Sequence, residues 1–98
     1  MTNNIDDKAL DLLCRAILTL ETVEECRKFL EDACSHMELR TISQRMVVAK
    51  MLSEKSVYSK IIKETGASTA TVSRVNKSLE YGAEGYRLVL SRLDSKVE

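Results

Sequence analysis

The chain has 98 residues, no net charge, 44% hydrophobic residues and 4% aromatic ones, which describes one domain with an aliphatic core. It has no proline and only three glycines, Gly66, Gly82 and Gly85, a composition that favours unbroken helices, and nothing in it supports an extended sheet. No run reaches the roughly 18 apolar residues of a membrane span, and polar Met1 to Asp7 lacks the regions of a secretory signal, so a cytoplasmic protein is expected.

The first predicted helix, about Asp6 to Leu20, repeats Ala9, Leu12, Leu13, Ala16, Ile17 and Leu20 in steps of three and four, one apolar stripe. Thr22 and Glu25 form a capping box opening a second helix, with Val23, Cys26, Phe29, Leu30 and Ala33 inward. Ser35 and Glu38 repeat the box before a third helix that runs to about Ser53. Its apolar positions, Leu39, Ile42, Met46, Val47, Ala49 and Leu52, are widened by Met37, Val48 and Met51. A stripe that broad needs cover on more than one side, and in so short a chain a second subunit is the natural source. Cys14, Cys26 and Cys34 are odd in number, fit a reducing compartment and are expected to pack as small apolar residues.

A fourth helix, about Val57 to Thr65, carries Val57, Ile61 and Ile62, and Gly66 then breaks the pattern. A fifth, about Thr69 to Tyr81, is capped by Ser68 or Thr69 and carries Ala70, Val72, Val75 and Leu79. A sixth, about Glu84 to Leu93, packs Tyr86, Val89, Leu90 and Leu93. The expected organisation is a single domain over residues 1–98: helices for dimerisation over about 5–54, a helix-turn-helix over about 57–79 and a last helix over about 84–94.

Two short helices joined at a glycine are the layout of a helix-turn-helix. Gly66 suits a turn with positive φ, Ile62 is placed to pack between the helices, and Val72 and Val75 face back. That leaves Ser68, Thr69, Thr71, Ser73, Arg74 and Lys77 outward, with Lys60 and Lys63 flanking to neutralise phosphates. Zero net charge conceals an uneven distribution. Met1 to Cys34 holds eight acidic residues against four basic, whereas Lys55 to Ser78 holds five basic residues against Glu64 alone. A phosphate backbone meets that local potential rather than the total.

The run Thr65-Gly66-Ala67-Ser68-Thr69-Ala70-Thr71-Val72-Ser73-Arg74, followed by Asn76, Ser78 and Leu79, resembles the helix-turn-helix of the tryptophan repressor family, in particular its YerC/YecD-like branch. The likeness covers about Leu10 to Leu93 and is strongest from Met51 to Leu79. It implies an all-α, six-helix, intertwined homodimer whose first three helices interlock with the partner's. It also implies a bacterial transcriptional regulator, read as a repressor, whose second motif helix enters the major groove of double-stranded DNA. Carried over by position, DNA contacts fall at Tyr58, Ser59 and Lys60, and at Ser68, Thr69, Ala70 and Ser73, with Lys63, Arg74 and Lys77 nearby.

In that family two arginines and a serine hold the corepressor, and a glycine leaves room for the indole. Here the corresponding pocket would comprise Gln44 in place of the first arginine, Arg45 beside it, Arg74 and Ser78, with Val75 where the glycine belongs. Crowding by a β-branched residue and loss of a charged partner both oppose tryptophan as the effector. Another small-molecule effector, or none, stays open.

No enzyme is expected. The one histidine, His36, is placed at a helix start, and Cys34 with His36 falls short of a metal-ligand set. Arg40, Arg45 and Arg74 read as surface residues rather than an anion site, so no catalytic residue, metal or cofactor is assigned. The alternative to a DNA regulator is a protein-interaction module that keeps the fold without DNA readout. Its support is the zero net charge and the acidic first helices.

Overall fold

The structure, a computed structural model, describes residues 6–97, the side chains of 95–97 aside. Six helices follow one another: α1 Asp7–Leu18, α2 Val23–Ala33, α3 His36–Ser53, α4 Tyr58–Thr65, α5 Thr69–Tyr81 and α6 Gly85–Val97. The polar start, residues 1–5, and Glu98 lie outside the described residues. Among the described residues no helix is long and apolar enough to cross a membrane.

Helix ends follow the short polar residues that precede them. Ser35 and Glu38 form a reciprocal box: the Glu38 N–H donates to Ser35 Oγ at 3.1 Å, and the Ser35 N–H donates to Glu38 Oε1 at 2.7 Å. At α2 the exchange is shifted. Thr22 Oγ1 accepts the Glu25 N–H at 3.0 Å, but the Glu25 carboxylate accepts from Glu21, one residue earlier than the box requires. α6 continues past the expected end at Leu93, because nothing in Asp94 to Val97 breaks a helix.

The chain divides into two compact units, one up to Leu39 and one from Arg40 onward. In the first, the apolar stripes of α1 and α2 are formed as expected but left uncovered, and neither helix contains a buried residue. Leu12, Ile17 and Val23 are 65%, 44% and 76% exposed. The cysteines share this state: Cys14 is exposed, and Cys26 and Cys34 are only partly covered. The expectation that they pack in a core therefore fails within one protomer, for want of a second layer over these helices.

The second unit holds the buried cluster. Val48 and Ala49 of α3, Ile61 of α4, Ala67 of the turn, Val72 and Val75 of α5 and Leu90 of α6 form it. Met46, Met51, Leu52, Ile62, Leu79 and Tyr86 pack around its edge. α4 packs on α5, and α5 on α6. α3 turns Val48 and Ala49 into this cluster while Ile42 and Val47 stay 56% and 49% exposed, so its wide stripe has two sides and only one is covered.

Candidate nucleic-acid interface

The link from α4 to α5 is three residues long, Gly66, Ala67 and Ser68. Gly66 closes α4 in the left-handed region, with φ +75° and ψ 5°, and its N–H donates to the Ile62 carbonyl at 2.9 Å. Ala67 is buried beneath the turn. Ser68 then opens α5: its Oγ accepts the Thr71 N–H at 3.1 Å and donates to Thr71 Oγ1. Thr65 ties the turn together, donating from Oγ1 to the Ile61 carbonyl at 2.7 Å and accepting the Ala67 N–H at 3.1 Å.

The two faces of the pair differ in chemistry. Inward are Ile61, Val72 and Val75, at 0%, 0% and 2% exposure. Ile61, not the expected Ile62, is the residue held fully between the helices, and Ile62 lies at the cluster's edge. Facing out are Tyr58, Ser59, Lys60 and Lys63 of α4, Ser68 of the turn, and Thr69, Ala70, Ser73, Arg74 and Lys77 of α5, all exposed. Ala70, one of the apolar positions that the pattern gives this helix, thus stands on the outer side. Lys60 and Lys63 are three apart on α4, as are Arg74 and Lys77 on α5, a spacing that keeps each pair on one helical face. At the end of α3, Lys50 pairs with Glu54; that hydrogen bond, and the carboxylate's charge, raise its pKa above the ordinary 10.5.

Of the four residues proposed for a ligand pocket, three border different grooves and the fourth borders none of them. Gln44 lines one of about 400 Å³ with Arg40, Ser43, Val47, Glu64 and Thr65. Arg45 lines another with Ile42, Met46, Val47 and Tyr86. Ser78 lines a third with Met46, Gly82, Ala83 and Val89, and Arg74 borders none of the three. Gln44 is already engaged: its Nε2 donates to the Thr65 carbonyl at 3.1 Å. A second such tie, in the last turn of α5, comes from Arg87, whose Nε donates to the Leu79 carbonyl at 2.6 Å. Sequence reading assigned neither bond, since each joins side chain to backbone between separate helices and leaves no periodic signal.

Comparisons with known proteins agree on one family. The family described as Trp repressor protein matches residues 8–94. The Bacillus subtilis protein YerC, itself uncharacterised, is 48% identical over 86 residues, covering 88% of this chain and 83% of its own. A solved structure from Staphylococcus aureus, described as a candidate Trp repressor, is 47% identical with a TM-score of 0.86, covering 91% of this chain and 89% of its own. A Trp repressor-like protein from Eubacterium eligens is 47% identical with a TM-score of 0.88, covering 95% and 96%.

Proposed function

Because the chain belongs to the Trp repressor family, we propose that it is a dimeric, sequence-specific DNA-binding transcriptional regulator, acting in the cytoplasm as a repressor. The α4–α5 pair serves as a helix-turn-helix, with α5 lying in the major groove. The observation that carries this reading is the division of the pair into a sealed apolar face and an outer face of exposed hydroxyls and four cations. Lys60, Lys63, Arg74 and Lys77 neutralise phosphates and set register; Ser68, Thr69, Ala70 and Ser73 meet base edges; Tyr58 and Ser59 contact the backbone beside them. Small side chains at the start of α5 let its backbone approach the bases closely.

Tryptophan does not control it. Val75, where the family's glycine would leave room for an indole, lies in the buried cluster, and Gln44, where an arginine would hold the carboxylate, is already bonded to Thr65; both weigh against tryptophan as the effector. Indole fluorescence offers a direct check, since the protein has no tryptophan of its own. Free tryptophan should emit unchanged when the protein is added, and a shifted or quenched emission would reverse this conclusion.

The experiment for DNA binding is selection of genomic fragments by the purified protein at low and moderate salt. Each phosphate neutralised contributes about 0.9 to the slope of log affinity against log salt. Replacing Lys60, Lys63 and Lys77 together by alanine should therefore weaken binding to every sequence and flatten that slope by about 2–3 for each protomer engaged. Ser68→Ala or Thr69→Ala should instead change which fragments are preferred. No retained DNA, together with salt-insensitive association with a protein, would support the interaction-module alternative.

A further inference from the structure

Both helices of the α4–α5 pair end on carbonyls that a helix cannot satisfy internally. In this chain one such carbonyl at each end is taken by a side chain from a neighbouring helix. Gln44 of α3 donates to Thr65 at the end of α4, across 21 positions of sequence. Arg87 of α6 donates to Leu79 in the last turn of α5. Bonds of this kind fix where a helix sits as well as where it stops. Between them the pair rests on Val48, Ala49 and Leu90 through Ile61, Val72 and Val75, with Ala67 closing the turn. A molecule entering the groove lined by Gln44, Val47 and Thr65 would compete with the Gln44 bond rather than complete it.

We propose that Gln44 and Arg87 are positioning residues that hold α5 in its DNA-reading arrangement with no small-molecule effector bound. The consequence for DNA rests on the function proposed above, whereas the preset geometry rests on the hydrogen bonds and the closed cluster alone.

The test compares protein purified natively with protein unfolded in guanidinium, dialysed free of small molecules and refolded. Amide exchange at Ala67, Val72 and Val75 should agree between the two preparations within about threefold, as local stability is then built into the chain. Faster exchange than that in the stripped protein would overturn the proposal. Against a fragment selected from genomic DNA, the stripped protein should bind with the same affinity as the native one; a loss restored by a small-molecule extract of cells would overturn it.

Gln44→Met and Arg87→Met keep bulk and remove the donors. Each should lower affinity for the selected fragment about five- to tenfold, the effect of one net hydrogen bond, while leaving random-sequence binding and its salt slope unchanged. Arg87→Lys, which can still donate, should recover part of the loss. Unchanged affinity for the selected fragment, or an equal loss on both DNAs, would remove the positioning role. If neither preparation retains any genomic DNA, the proposed function fails, and amide exchange in the stripped protein and in Gln44→Met still decides whether the pair is preset.

Discussion

At Gly66 the whole α4–α5 geometry depends on one backbone angle. Its φ of +75° lies in the left-handed region, and a Cβ added there would meet nothing within 4 Å. The penalty for a side chain is thus conformational and not steric. Left-handed backbone costs an L-residue about 1–2 kcal/mol, partly offset because alanine restricts the unfolded chain by about 0.4–1 kcal/mol. Gly66→Ala should lose about 1 kcal/mol in urea unfolding and Gly66→Asn less, since asparagine tolerates this region. Equal losses would point to an unseen contact. Gly82 is the opposite case, because a Cβ there would stand 2.5 Å from the Ser78 carbonyl oxygen. Glu84, at φ 70°, occupies the left-handed region without glycine's freedom. Glu84→Asn should therefore stabilise by roughly 0.5–1 kcal/mol. An unchanged or lower urea midpoint would show that Glu84 is not strained.

Within the elements, the test of the core is which isoleucine carries α4. Ile61→Ala opens a cavity in the sealed cluster and should cost about 2–5 kcal/mol, whereas Ile62→Ala, at the edge, should cost distinctly less. The reverse order in urea unfolding would mean the cluster is drawn wrongly. The start of α5 offers a second check: Ser68→Ala removes the cap to Thr71 and should cost about 1 kcal/mol. These elements were legible to different depths. Ser68 and Gly66 act on their immediate neighbours, so the end of α4, the turn and the start of α5 could be read from the residues. The stripes of α1 and α2 were legible as faces, but periodicity names the face and not what covers it, so it could not show that Cys14 and Cys26 find no full cover within one protomer. Ile61 and Ile62 are adjacent and equally apolar, and only packing against α3 and α5 separates them. Of the outer residues, Ser68, Thr69, Ser73, Arg74 and Lys77, with Lys60 and Lys63 beside them, followed from the pattern, whereas Tyr58, Ser59 and Ala70 came only from the family resemblance. The ties from Gln44 and Arg87 were invisible because they depend on which helices become neighbours.

Taken as a whole, the molecule pairs a unit that closes its own core with one that does not. The unit from Arg40 onward seals Val48, Ile61 and Val72 completely, whereas α1 and α2 bury nothing. An amphipathic helix is stable in water chiefly when its apolar face is packed against something, and a chain of this size has little core to spare. The cover that the proposed function supplies is the same surface of a second copy, which also brings two α5 helices to one DNA duplex at about one helical turn, roughly 34 Å. Folding would then be linked to association, and the thermal midpoint should rise as protein concentration is increased about a hundredfold. Leu13→Glu and Ile17→Glu place charge on the α1 stripe, where both residues are 44% exposed in one protomer. Together they should yield a monomer by light scattering, lower the thermal midpoint and abolish binding to paired half-sites. The α4–α5 pair of that variant should keep its amide protection, because its contacts lie within its own unit. A midpoint independent of dilution, with the double variant matching the parent in mass and stability, would leave those stripes without a dimeric role.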